Sequence, residues 1–567
     1  MNACCLRTPG EEIMKKEIKA ASGLSLDREF SFRAIFFGVM IGLLLMALMM
    51  YLDAVLGLDT DVAPIASMIG VLLIPLFGGP TNRREVNIMQ TCATATTFAA
   101  YSLTGNIVPL LMMGEKLEVL PTFALLLLAD AIGICFVSIL RDQFVYDKNL
   151  PFPGAVMCTT AMDQIDAKDK SSTKLLFGAV AFSVVISFLQ NMEYLPYLAD
   201  FTSLLPENGM TLGILIMPLM LGMGYVLGSR NALCMLATSL LICLIEAPVG
   251  TSRGWFANPA EDYFSEIQDF NLPIVIGIAL LAAVIPICRQ WRAIAHAFQF
   301  KKGADQKSDR DYSMKSILIL LLVLTAAMIA FCNFYYQIKV IHLVICTVVS
   351  LLFAMIAVRV SAESGLSAGL ALNIFMIVIS YGLTGNAVFS MLIAFMNFNT
   401  FILAQDTMYD LKIGQMVSAS PKKQIKAQFI GIFFGCLAGT ALFYAIIKVF
   451  GLNDELFTFP FGNMYYAVIN GISEGGVSTL FNPGRFAIGG ALGAVLSLIG
   501  LPAGGIALAM YLAPKTILGI ALGGMIRLVV EKTKGIAFAE KMDNAATGFV
   551  IGDAMVCVLM VIITMFR

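Results

Sequence analysis

Tyr101-Ser-Leu-Thr-Gly-Asn-Ile-Val108 interrupts one long apolar run, and 280 positions later Tyr381-Gly-Leu-Thr-Gly-Asn-Ala-Val388 interrupts another. Six of the eight residues are identical. Inside hydrocarbon, a Thr-Gly-Asn interruption frees backbone groups that lipid cannot satisfy, so such a break survives only where protein or a water-filled cavity surrounds it. A repeated break implies a duplicated chain. Paired breaks in two halves are expected at the central site of a membrane transporter.

Composition fixes the solvent. Hydrophobic residues fill 59% of 567 positions and charged ones 13%, with mean hydropathy +0.84, against roughly one-quarter charge in a soluble domain. The net charge of −1 hides a segregation of Lys and Arg into a few loops. That pattern reports orientation in a bilayer and gives no footing for a nucleic-acid partner. Lys15, Lys16, Lys19 and Arg28 precede a first apolar run too long for a signal peptide, so it is expected to stay as a span. The 12 cysteines are scattered and only Cys4 and Cys5 adjoin, which argues against a disulfide scaffold. With His296 and His342 the only histidines, no metal centre and no cofactor are expected.

Apolar runs near the roughly 20 residues that cross a bilayer fall at 33–57, 62–79, 86–112, 119–140, 174–192, 208–228, 230–247 and 272–288. A second set falls at 314–335, 339–358, 365–387, 388–404, 425–450, 483–512, 515–530 and 545–565. The fold class is therefore an all-α polytopic membrane protein. It has about 16 transmembrane helices in two duplicated eight-helix halves, with discontinuous helices and re-entrant segments. The divisions are a cytosolic segment 1–32, a first repeat 33–288, a cytosolic linker 289–313 and a second repeat 314–567. Other landmarks recur at shifts of 275–285, among them Leu227-Gly-Ser-Arg230 and Leu512-Ala-Pro-Lys515. Even halves predict a parallel duplication about an axis along the membrane normal. Basic residues then collect on one side except Arg527, Lys532, Lys534 and Lys541, a misfit that one further span between 483 and 530 would remove.

The most unusual polar stretch is Ala404-Gln-Asp-Thr-Met-Tyr-Asp-Leu-Lys-Ile-Gly-Gln-Met-Val-Ser-Ala-Ser-Pro-Lys-Lys-Gln424. Asp406 and Asp410 share a helix face, and two nearby carboxylates can hold one proton between them. An ordinary basic cytosolic loop is the plainer reading, and composition alone favours it. The stretch nevertheless resembles the signature of the oligopeptide transporter (OPT) family, which includes the yellow stripe-like transporters of metal chelates. Asp406, Asp410, Leu411, Lys412, Gly414, Ser420, Pro421 and Gln424 match, while Ile413 and Lys422 depart from it. Lys148-Asn-Leu-Pro-Phe-Pro-Gly-Ala155, Glu85-Val-Asn-Ile-Met-Gln90 and Phe457-Thr-Phe-Pro-Phe-Gly462 are similar to other family elements, the last with Phe461 in place of a second proline, and the matches at 148–155 and 404–424 are closer to the bacterial and yellow stripe-like branch.

The resemblance implies a proton-coupled importer of small oligopeptides in the cytoplasmic (inner) membrane with a cytosolic N-terminus. Uptake of metal-chelate or siderophore complexes is the alternative; a passive channel or a membrane-embedded enzyme is less favoured. The implied partners are a small-molecule substrate, protons and the lipid bilayer, with a homodimer left open. Proton-coupling candidates are Asp130, an acid in mid-span and by default functional, with Asp406, Asp410 and Lys412. Substrate-binding candidates are Tyr101, Asn106, Tyr381 and Asn386 at the breaks, and Pro151, Phe152 and Pro153, where proline excludes regular helix. Glu85, Asn87, Gln90, Asn397 and Asn399 complete the set as polar groups on spans. Helix-to-helix hydrogen bonding explains a buried Asn about as well.

Overall fold

A computed structural model describes residues 28–57, 62–79, 81–147, 150, 152–163, 171–200, 213–256, 263–289, 312–364, 367, 369–452, 457–473 and 482–566. The opening helices are α1 (Phe32–Leu56), α2 (Ala63–Leu76), α3 (Arg83–Tyr101), α4 (Leu103–Asn106), α5 (Val108–Met112), α6 (Val119–Val145), α7 (Pro153–Asp163) and α8 (Ser171–Asn191). A short antiparallel pair, β1 (Leu198–Asp200) and β2 (Gly213–Leu215), leads to α9 (Pro218–Leu227), α10 (Ser229–Leu241), α11 (Ala247–Ser252) and α12 (Tyr263–Arg289). Next come α13 (Met314–Tyr335), α14 (Val340–Ser364), α15 (Gly369–Thr384), α16 (Ala387–Val417), α17 (Pro421–Phe450) and α18 (Pro460–Ser473). The chain closes with α19 (Pro483–Leu498), α20 (Ala503–Tyr511), α21 (Pro514–Lys534) and α22 (Ile536–Phe566). This is an all-α polytopic membrane protein; among the described residues, eight helices are each long and apolar enough to cross a bilayer.

Local chemistry sets the ends. Ser31 caps α1 by accepting from the Ala34 amide (3.1 Å), and Gly57 ends it in the left-handed region at φ 60°. Asn82 caps α3 through the Glu85 amide (3.0 Å), and Asn386 caps α16 through the Phe389 amide (2.9 Å). These two caps lie 304 positions apart.

That offset recurs in reciprocal contacts. The Phe152 amide donates to the Ala362 carbonyl at the end of α14 (2.9 Å), and the Phe459 amide donates to the Ala54 carbonyl at the end of α1 (2.8 Å). Both phenylalanines adopt positive φ, 46° and 41°, and both precede a helix-starting proline. Gly133 of α6 lies so close to the Thr400 carbonyl of α16 that a Cβ would collide, and Gly435 of α17 meets the Thr96 carbonyl of α3 in the same way. These pairs are 302 to 308 positions apart. The front of the duplication therefore matches α1, α2, α3–α5, α6 and α7 to α14, α15, α16, α17 and α18. The 285 shift holds later, where α10 and α21 start at Ser229 and Pro514.

Direction overturns the parallel expectation. Arg33 at the start of α1 pairs with Glu85 at the start of α3, and Tyr409 near the end of α16 bonds Ser361 near the end of α14. Since Gln90 near the start of α3 meets Asp410 near the end of α16, α3 and α16 are antiparallel. So are α1 and α14. The repeats are inverted, as in many transporter folds. The cause is α13, which has no counterpart among the described residues and flips the chain between repeats. Within 483–530, where hydropathy gives two runs, the chain forms three helices, α19, α20 and α21. Ser183 and Ser187 of α8 bond the Phe549 carbonyl and Asp553 of α22, so these helices run together. The start of α22, with Lys532, Lys534 and Lys541 beside it, thus joins the face from which α8 departs. The face holding Arg33, Glu85 and the end of α16 is called proximal below, and its opposite distal.

Candidate coupling and substrate site

The reversal at the end of α16 builds the proximal cluster. Ser418 takes a left-handed conformation (φ 58°) and Pro421 opens α17 at its first position, so the first turns of α17 fold back along the last turns of α16. Gln424 and Gln428 then face Asp406 and Asp410. From the other repeat, α3 brings Asn87, Gln90 and Thr94 to the same place.

Asp410 accepts from Gln90 Nε2 (2.5 Å) on one oxygen, and from Thr94 Oγ1 (3.0 Å) and Gln428 Nε2 (2.7 Å) on the other. Gln428 Nε2 also reaches Asp406 Oδ2 (3.3 Å), which holds those two carboxylate oxygens within about 6 Å of each other. Gln424 Nε2 donates to the Asp410 carbonyl (2.5 Å) and to Asn87 Oδ1 (3.0 Å), and Asn87 donates to Gln90 Oε1 (3.3 Å). All of these side chains are buried. Lys412 turns away, donating to the Val145 carbonyl (2.7 Å) with its ammonium 5.5 Å from the Phe152 ring centre. Phe152 is fully buried and edge-on to Tyr409.

A second cluster lies distally. Thr104 donates to Asp53 of α1, Ser102 donates to Asn399 (2.7 Å), and Asn373 of α15 donates to Asn106 Oδ1 (2.7 Å). Tyr101 packs edge-on between Phe98 and Phe398. Asn397, wholly buried, has no hydrogen-bond partner on either amide atom among the described residues. Between the clusters Asp130, also wholly buried, accepts from Cys436 Sγ (3.2 Å), and its other oxygen lacks a partner among the described residues.

Other expected residues lie outside these two clusters or outside the described residues. Glu85 forms a buried proximal staple, accepting from Arg33 (2.7 and 2.8 Å), Ser31 (2.5 Å) and Thr81 (2.9 Å), and its carboxylate takes no part in the Asp410 network. Tyr381 is half-buried and Asn386 exposed, serving as a cap; the turn needs the positive φ of Gly385 (64°). Pro151 lies outside the described residues, and Pro153 opens α7. Sequence reasoning missed Thr94, Gln428, Cys436 and Asp53. Asp53 stands in an apolar run as Asp130 does, so the rule that flagged one would have flagged the other.

A family model described as OPT oligopeptide transporter protein matches residues 29–564. The chain belongs to the OPT oligopeptide transporter family. Among curated proteins it is similar to a "Putative oligopeptide transporter" of Haemophilus influenzae, 24% identical over 91% of this chain and 92% of that one. The clusters of this OPT transporter sit where the inverted repeats cross, α3 against α16 and α17 and α6 against α16 and α17.

Proposed function

We propose that this OPT protein is a proton-coupled symporter of short oligopeptides, with Asp410 and Asp406 taking the proton. The observation that carries the reading is the shared Gln428 donor. Two buried carboxylates this close carry one proton between them more readily than two charges, and their other contacts named here are neutral amides and a hydroxyl. Because α3 supplies Gln90 and Thr94 while α16 and α17 supply the rest, a proton arriving at Asp410 alters bonds between the two repeats. Asp130 is the second candidate, at the crossing itself. We assign the proximal face to the cytosol, with the repeats at 33–288 and, beyond α13, 340–567, because Arg33, Arg84, Arg359 and Lys423 gather there as the positive-inside rule requires.

The test is uptake of tri-alanine into proteoliposomes under an imposed pH gradient. Asp410→Asn should lower gradient-driven accumulation by about 100-fold, since a coupling group is lost, while leaving counterflow exchange. Undiminished driven uptake removes Asp410 from coupling. Accumulation of an iron or nickel chelate with no peptide uptake replaces the substrate.

A further inference from the structure

α15 and α16 form an antiparallel pair, and the contacts at its two ends fix the level of every residue between them. Ser380 meets Ser390 (2.8 Å) at the distal end, and a Cβ on Gly369 would stand 3.2 Å from the Phe401 ring at the other. Asn373 lies four positions from Gly369 and seven from Ser380, while Asn397 lies four from Phe401 and seven from Ser390. Residues four and seven apart share a helix face, so the two asparagines stand at one level on the stripes that meet. Both side chains are wholly buried. Hydrogen bonds orient one of them: Asn106 gives its Nδ2 to the Ser102 carbonyl (3.3 Å), so its Oδ1 is what Asn373 Nδ2 reaches (2.7 Å). Asn373 Oδ1 then has no partner among the described residues, and neither amide atom of Asn397 has one. Unpaired amide atoms in an apolar interior are costly, and three of them share this seam.

We infer that Asn397 reads the main chain of a bound peptide, an assignment that rests on the peptide reading above. An asparagine kept for helix packing would be paired across the seam, and this one is not. A carboxamide carries a donor and an acceptor side by side. In an extended peptide the N–H and C=O of one residue point to the same side, as when two strand residues exchange both hydrogen bonds in an antiparallel ladder. Asn397 takes that N–H on Oδ1 and gives Nδ2 to that C=O. Asn373 Oδ1 is left to accept from a further donor of the same ligand. Neither contact involves a peptide side chain, so the site tolerates many sequences. In a tripeptide only the central residue has its N–H and its C=O both in peptide bonds, and that residue is the one Asn397 holds.

Counterflow exchange at equal pH tests this without the coupling step, using the full chain in proteoliposomes with tri-alanine and its analogue N-methylated at the central residue. The methyl group removes the N–H that Asn397 Oδ1 accepts. The wild type should prefer tri-alanine by about 10-fold, the equivalent of one buried hydrogen bond. Asn397→Leu should bring tri-alanine down to the analogue and leave exchange of the analogue unchanged, which also reports a folded protein. Its unfolding temperature in detergent should not fall, because an apolar side chain of similar size replaces unpaired polar atoms. Asn397→Gln, which keeps the donor and the acceptor, should keep part of the preference. A retained wild-type preference in Asn397→Leu overturns the inference, as does equal loss of both peptides or a lowered unfolding temperature. A wild type that exchanges both peptides equally overturns it too and leaves the peptide reading standing. If the wild type exchanges neither, the peptide reading itself falls and the inference with it.

Discussion

The two Leu-Thr-Gly-Asn segments share their sequence and nothing of their surroundings. At 103–106 the residues continue α3 as a kinked helix, with the Asn106 amide donating to the Ser102 carbonyl (2.9 Å), and every side chain is buried. At 383–386 the same residues end α15, turn through Gly385 and cap α16 from an exposed loop. In one place Gly is needed because a neighbour comes close, in the other because the backbone is left-handed. Nor are the segments symmetry mates: the counterpart of Asn386 is the cap Asn82, and that of Asn106 is Asp410. Local sequence identity of six residues in eight thus marked the right kind of protein and the wrong register.

Matched substitutions would break this contrast if the two segments were equivalent. The largest difference is expected at glycine. Gly105→Val drives a side chain into Phe461 and Tyr465 and should cost about 3 kcal/mol, whereas Gly385→Val pays for a left-handed residue in solvent, about 1–2 kcal/mol. Thermal unfolding of the purified variants in detergent ranks them, and equal losses would contradict the two roles. Next comes asparagine. Asn106→Ala strands the buried Asn373 amide at a cost of about 2 kcal/mol, and Asn386→Ala removes an exposed cap, about 1 kcal/mol. A larger shift for Asn386 would reverse the assignment. The smallest contrast is at threonine: Thr104→Val removes a donor from Asp53, about 1.5 kcal/mol, while Thr384→Val should stay within about 0.5 kcal/mol.

The acids divide in the same way between what a residue shows alone and what it shows in company. Asp130 and Asp410 were visible because a charge in or beside a span is costly wherever it falls. Their donors were not, since Gln90 and Thr94 approach Asp410 across more than three hundred positions of chain. Glu85 looked like a member of the same polar face, yet Arg33, 52 residues earlier, claims its carboxylate.

Hydropathy and charge determined by themselves that the chain is a polytopic helical bundle built on a duplication, because helix length and polarity must suit the bilayer at every crossing. Only tertiary structure decided that the repeats are inverted and offset by about 304 at the site. The orientation depends on one added helix, α13, and helices as short as the nine-residue α20 cannot be separated from their neighbours by a window of hydropathy. The composition of the two clusters depends on which helix faces cross, and that is fixed by packing between segments the sequence holds far apart.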